Sequence, residues 1–323
     1  MRIALLSNPS SGRGRHAAAD DVARRILTEA GHEVLHVRGS SYEQARDAGR
    51  ALLGDEPHRN VEALVVVGGD GMVHLGVDIV ATTGVPLGIV ATGTGNDIAR
   101  HFGLPSRDAE ASARLINQAL SGKGAITAVD AIYASRPDGT LLAPQRRWSL
   151  AVVSAGVDAA VNARANTLSW PAGEGRYVRA FTAELATLAP YGYRLTTDEG
   201  AWEGPALLLA VANTRYVGGG MDLAPQADPT DGRLEVLRLD PVGRTHLLVL
   251  FRRLFRGTHL TDPVVHVERS RTVTIEALTE RTGRDRGLRP PPHPFADGEP
   301  LAELPLRLEA IPDAVRLLLP AHD

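Results

Sequence analysis

VEALVVVGGDGMVHLGVDIVATTGVPLGIVATGTGNDIARHFGLP, running from Val61 to Pro105, decides how the rest of the chain is read. Two short apolar runs, Leu64 to Val67 and Leu87 to Val90, each lead into a glycine-rich turn. Both runs are apolar on both faces and mostly β-branched, as buried parallel strands are. The turns are Gly68-Gly69-Asp70-Gly71 and Gly93-Thr94-Gly95-Asn96-Asp97, and each opens into a helix-like segment. In an open α/β sheet, ligands bind beyond the carboxyl ends of the strands. Glycines there let backbone amides approach phosphate oxygens, and a helix N-terminus favours the negative charge. Asp70 and Asp97 would repel bare phosphate, so acidic residues in both turns point to a metal-bound nucleotide.

The flanking sequence extends the pattern. Arg2 to Ser7 reads as a strand, followed by the turn Asn8-Pro9-Ser10-Ser11-Gly12-Arg13-Gly14. A helix follows with Ala19, Val22, Ala23, Ile26, Leu27 and Ala30 on one face and Gly31 at its stop. Glu33–Val37 is a second strand, and Tyr42–Leu53, Asp97–Phe102 and Ala109–Leu120 are helices. Alternating strands and helices predict a doubly wound parallel sheet. Three polar or glycine-rich loops then share one sheet edge. The first domain is expected to cover residues 1–125, with a C-terminal segment from about 308 to 323 packing back on it.

Beyond about residue 125 strand-like runs dominate: Ala128–Ala134, Trp148–Val153, Ala206–Ala212, Leu234–Leu239, Val264–Val267 and Thr272–Ala277. Helical stretches fall at Tyr177–Leu188 and Thr245–Arg256. Residues 126–307 therefore read as a β-rich second domain. Arg281–Pro294, basic and proline-rich, reads as a mobile surface loop. Leu306–Pro320 reads as a strand followed by a helix.

Composition narrows the function. The 323 residues suffice for two cores, and 43% hydrophobic with 23% charged residues is ordinary for a soluble protein. A net charge of −3 gives no basic field for nucleic acid. There is no cysteine, which removes thiolate metal sites and fits a reducing compartment. No run of about 18 apolar residues is present, so a soluble or surface-resting protein is expected. The dinucleotide fingerprint, the Walker lysine loop and the protein-kinase triplets are all missing.

Six segments together resemble a known family. NPSSG at 8–12, GGDG at 68–71, GTGNDIAR at 93–100, SAGVDAAV at 154–161, VANTRYVGGGMDLAPQADPTDGRLEV at 211–236 and DGEPL at 297–301 are similar to the diacylglycerol kinase catalytic-domain family of bacterial lipid kinases, sphingosine kinases and ceramide kinases. That family is related to NAD kinases. The resemblance implies an α/β nucleotide domain, a sandwich-like β domain, and ATP bound between them. It implies that Asn8, Gly12, Gly69, Gly71, Gly93, Thr94 and Asn96 line the nucleotide cleft. Asp70, Asp231 and Glu299 would form the acidic network for Mg²⁺, and Asp297 would be the general base for a lipid hydroxyl. Asp297 and Glu299, one glycine apart, would point the same way on an extended segment. Val157, Val161, Val178, Phe181, Leu185 and Leu188 are candidate walls for a lipid tail.

The expected activity is transfer of the ATP γ-phosphate to diacylglycerol at the inner face of the membrane, by a cytoplasmic, peripherally bound protein that could be a homodimer. Met72 departs from the threonine usual after GGDG. A kinase of another lipid, sphingoid or glycolipid, an NAD kinase, and a nucleotide-binding regulator without catalysis are the rival readings. The bland readings are that Gly218-Gly219-Gly220 is a flexible connection, that Asp97 only favours the start of its helix, and that His74 is structural.

Overall fold

The computed structural model describes residues 1–7, 15–37, 39, 41–54, 60–142, 147–168, 170, 174–278 and 288–321. In chain order the first elements are β1 (Arg2–Ser7), α1 (Arg15–Glu29), β2 (Glu33–Val37), α2 (Tyr42–Leu53), β3 (Ala63–Gly68), α3 (Asp70–Val80), β4 (Leu87–Ala91), α4 (Asp97–His101), α5 (Ala109–Leu120) and β5 (Ala125–Ser135). Next come β6 (Trp148–Ser149), β7 (Val152–Ser154), α6 (Val157–Thr167), α7 (Glu174–Ala186), β8 (Tyr191–Thr197), β9 (Gly200–Ala206), β10 (Leu208–Ala212), β11 (Tyr216–Val217) and β12 (Met221–Asp222). The chain closes with β13 (Leu234–Leu239), α8 (Arg244–Leu254), a 3-10 turn at His259–Thr261, β14 (Val265–Ser270), β15 (Thr272–Ala277), β16 (Phe295–Ala296), β17 (Glu299–Pro300) and β18 (Leu306–Leu319).

Two compact units emerge. The first comprises Met1–Ala131, Gly218–Gly220 and Pro312–Asp323; the second comprises Ile132–Val217 and Met221–Ile311. In the first unit the strands run parallel in the order β2-β1-β3-β4. The end of β18 adds beside β4 through Leu317 and Leu87, also parallel. β3 and β4 are buried throughout, as strands covered on both faces must be. Ile3, Leu5, Val65, Val67 and Val90 form one core with Ala23 and Leu27 of α1 and Ala113 and Ile116 of α5. All these strands point the same way, so the turns after β3 and β4 share the carboxyl edge.

The second unit stacks two antiparallel layers. One has the order β14-β13-β10-β7-β16-β17, and the other joins the start of β18 to β15, β8 and β9. Val153, Leu209, Val211 and Val236 from the first layer meet Tyr193, Ile275, Leu306 and Leu308 from the second in a single core. That arrangement is a β-sandwich.

Three sequence expectations change. Leu306–Pro320 is one long strand, with no helix at its end. Ala314, Leu317 and Leu318 have helical spacing, but Val315 and Leu319 are buried too, and a run buried on both faces is satisfied by a sheet. Trp148–Val153 is interrupted between β6 and β7. The 281–294 loop is described only from residue 288 onward; there Arg289 is held, bridging to Tyr191 and donating its amide to the Pro190 carbonyl at 2.9 Å.

Candidate active site

In the first unit, β3 ends at Gly68 and α3 starts at Asp70, with Gly69 as its N-cap. The neighbouring turn leaves β4 at Ala91, which pairs with Gly68. Thr92 donates its amide to the Gly68 carbonyl at 2.8 Å, which draws the two turns together. Their backbones then nearly touch: a Cβ on Gly93 would lie 2.5 Å from the Gly69 Cα, and one on Gly69 would lie 3.1 Å from the Gly93 Cα. Only glycine pairs allow that approach. A Cβ on Gly68 would in turn strike Met72, whose side chain covers that glycine.

The second turn is braced from behind. The Asn96 side-chain amide donates to the Gly93 carbonyl at 2.9 Å and to Ser106 Oγ at 2.8 Å. Arg107 donates to the carbonyls of Gly93 and Thr94, the latter at 2.9 Å. Asn96 is buried in the left-handed conformation, with φ 53°. Its side chain thus shapes the turn, while Thr94 is exposed at the tip. Asn8 and Gly12 lie outside the described residues.

Two carboxylates meet here. Asp70 Oδ1 accepts the Ile98 amide at 3.3 Å. Asp97 Oδ2 accepts the Gly219 amide at 2.8 Å, and its Oδ1 accepts the Gly220 amide at 2.7 Å. A Cβ on Gly95 would sit 3.0 Å from Asp70 Oδ2 and 3.4 Å from Asp97 Oδ2, so the glycine leaves room for both acids. Burial pushes the Asp97 carboxyl up, and the two glycine amides and Arg100 pull against it. Gly218, Gly219 and Gly220 all have positive φ, at 63°, 88° and 105°. The triple glycine is therefore a fixed anchor, and Asp97 does more than favour its own helix. The sequence carries only a faint signal of this anchor. Its available signal was three glycines in a row, since a run so costly in chain entropy has a geometric reason.

Within the second unit, one carboxylate has unusual support. Leu150 donates its amide to Asp297 Oδ2 at 2.9 Å, while Ala151 and Val152 donate to Oδ1 at 2.9 and 3.0 Å. The Asp297 amide returns to the Val152 carbonyl at 3.0 Å. These bonds explain the gap between β6 and β7: the amides that would continue a strand are turned onto the carboxylate. Asp297-Gly298 is a tight turn between β16 and β17, with φ of 50° and 85°. Positive φ at both positions is the Asp-Gly hairpin geometry. The expected extended segment is thus corrected: Asp297 sits at the turn, and Glu299 follows on β17, paired with Ala296.

Asp231 occupies another Asp-Gly turn. It accepts the Arg233 amide at 2.9 Å and pairs with Arg269, which also lies 2.9 Å from Glu235. Glu235 is buried, and burial raises its carboxyl pKa. Of the candidate tail walls, Val157 is buried at the start of α6, Val178 is exposed, and Phe181 stacks on Phe251 at 4.5 Å. His74 is buried within α3, as a structural histidine would be.

Asp70 suits a magnesium ion, which binds through one or two carboxylates, waters and substrate phosphates. The touching glycine turns beside it suit the phosphates themselves. Among the described residues, no three His, Asp or Glu side chains are gathered as a metal cage.

Comparison with known proteins agrees with this architecture. Residues 2–129 match the diacylglycerol kinase catalytic domain, and residues 151–319 match the YegS C-terminal NAD kinase beta sandwich-like domain. A diacylglycerol kinase of Mycobacterium tuberculosis is 34% identical over 322 residues, covering 99% of this chain and 96% of the relative. A protein named as a probable YegS-like lipid kinase, from Stenotrophomonas maltophilia, is 31% identical over 268 residues, covering 81% and 80%. A diacylglycerol kinase structure from Bacillus anthracis superposes with a TM-score of 0.67 at 18% identity, covering 98% and 96%. Yeast NADH kinase in complex with NADH shares the fold at a TM-score of 0.54 and 10% identity, covering 100% and 84%. The chain belongs to the diacylglycerol kinase family, with the YegS-type second domain. Membership places it among the lipid kinases.

Proposed function

We propose that this lipid kinase transfers the γ-phosphate of ATP to the hydroxyl of diacylglycerol and forms phosphatidic acid. The observation that carries the nucleotide half is the contact between the Gly69 and Gly93 turns at the ends of adjacent parallel strands. Glycine backbone and the N-terminus of α3 lie together at that edge, a combination that suits phosphate oxygens. The names of the relatives support the lipid half.

Gly69, Gly71, Gly93 and Thr94 hold the phosphates by their backbone, with Asn96 keeping the second turn in shape. Asn8 and Gly12 are assigned to the same cleft by resemblance. Asp70 would hold Mg²⁺, with Asp231 and Glu299 as its further acidic partners. Mg²⁺, when bound, neutralises charge on the phosphate chain. Asp231 must leave Arg269 to take that part. Asp297 accepts the proton of the lipid hydroxyl as that oxygen attacks the γ-phosphorus and the bond to ADP breaks. The amides of Leu150, Ala151 and Val152 hold the Asp297 carboxylate in a fixed orientation for that role.

The acceptor places the working protein at the inner face of a membrane. Among the described residues no helix is long and apolar enough to cross one. Incubation with Mg²⁺, labelled ATP and a total lipid extract, with NAD as the comparison, tests the reading. Label in phosphatidic acid supports it. Label in NADP, or in no product, overturns it.

A further inference from the structure

α7 and α8 touch in the second unit. Arg244, at the start of α8, donates to the carbonyl of Ala186 at the end of α7, at 2.6 Å. Farther along, Phe181 of α7 stacks on Phe251 of α8, which meets Phe255 edge-on at 5.5 Å. Their inner sides are satisfied by one cluster of Leu207, Leu239, Leu247 and Leu250, with Leu185 and Leu188 against it.

Exposed apolar side chains are concentrated on and beside this pair. Ten large hydrophobic side chains are exposed among the described residues, and six belong to this helix pair or its approach: Trp170, Tyr177, Val178, Leu248, Val249 and Phe255. Single exposed apolar residues are normal, but a concentration marks an interaction face. Arg179 ties the approach to α7 by donating to the Trp170 carbonyl at 2.8 Å. Charge identifies the partner. From Pro241 to Leu260 there are four arginines and no acidic residue, in a chain whose net charge is −3. Arg253 is held by Asp262, whereas Arg252 and Arg256 are exposed with no carboxylate partner among the described residues. Exposed Leu, Val and Phe side chains alternating with arginines along one helix suit an interface where the apolar groups enter acyl chains and the guanidinium groups reach phosphate.

We propose that the α7–α8 face is the surface by which this protein docks on an anionic lipid bilayer, with Leu248, Val249 and Phe255 inserting and Arg252 and Arg256 contacting headgroup phosphates. The choice of a bilayer over a protein partner rests on the lipid-kinase reading. A surface of mixed apolar and basic character is what an anionic lipid leaflet accepts without a shaped counterpart.

Sedimentation with vesicles of phosphatidylcholine, with and without phosphatidylglycerol, tests this on the full chain. The protein should sediment with the phosphatidylglycerol vesicles and release at high salt. Arg252→Gln with Arg256→Gln should weaken binding about thirtyfold, since each arginine near such a surface contributes on the order of 1 kcal/mol. Leu248→Glu with Phe255→Glu should abolish binding while leaving circular dichroism unchanged. Undiminished binding by both double variants overturns the proposal. So does a failure of the unaltered protein to bind any vesicle, or a dimer that those glutamates dissolve. The same variants should retain full phosphorylation of short-chain diacylglycerol in detergent micelles. Absence of that turnover in the unaltered protein would overturn the kinase reading alone and leave the vesicle result standing.

Discussion

Asp97 Oδ1 accepts the amide of Gly220 at 2.7 Å, joining residues 123 positions apart. With the parallel bond from Gly219, this one buried carboxylate fixes a glycine loop from the middle of the chain against the start of α4. The Asp70 carboxylate holds the next residue of the same helix through the Ile98 amide. The two acids thus organise the backbone on which the two glycine turns rest.

Asp97→Asn tests that anchor. An amide side chain accepts from one glycine and turns its own NH₂ toward the other. The loss should be about 1.5–3 kcal/mol, as for a hydrogen bond to a charged group. Amide hydrogen exchange at Gly219 and Gly220 should accelerate about tenfold or more. Unchanged protection at both glycines would show that other contacts hold the loop.

Gly93→Ala places a methyl group 2.5 Å from a backbone carbon that has nowhere to go, whereas Gly69→Ala makes a 3.1 Å contact. The first should separate the turns, cost about 1–3 kcal/mol and weaken ATP binding severely. The second should be milder. Calorimetric titration of both variants with Mg-ATP should give that order.

The first half of the fold is legible in the sequence for a local reason. Strand, glycine turn and helix follow one another locally in β3-α3 and β4-α4, so each motif carries its own context. The second half depends on long-range pairing. Nothing near Leu150 announces that its amide serves a carboxylate 147 residues later. At 297–298 the Asp-Gly pair signals a turn, while the charge spacing of Asp297 and Glu299 suits an extended segment, and the hairpin geometry prevails. Likewise the leucines at 317–319 have spacing that suits a helix or a strand, and only the neighbour Leu87 decides. The α7–α8 surface has no local motif at all; it appears once packing shows which apolar side chains are left outside.

Asp297→Asn should lower phosphoryl transfer by about a hundredfold or more, the range of a lost general base. Asparagine tolerates the left-handed backbone there, but its NH₂ must face one of three amide donors. A stability loss of about 1–3 kcal/mol is therefore expected as well. Transfer rates should be compared with thermal unfolding, at a temperature where the variant is folded. Full turnover would exclude a proton-accepting role.

His259 gives a pH signature. Its Nε2 meets the Leu223 carbonyl at 2.9 Å, and burial lowers its pKa below the ordinary 6.5. The neutral ring is favoured in the fold, so its contribution is present above 6.5 and lost as pH falls through that value toward the lower folded one. Thermal unfolding of His259→Gln should thus fall less steeply than that of the unaltered protein between about pH 7.5 and about pH 5.5. Parallel curves would show that His259 does not carry this dependence.

Phosphatidic acid formation from diacylglycerol and ATP, measured in detergent micelles with and without Mg²⁺, tests the central claim most directly. Product that requires Mg²⁺ and disappears in both Asp70→Asn and Asp297→Asn is the predicted result. No phosphorylated lipid from the unaltered protein, or undiminished product from either variant, would contradict it.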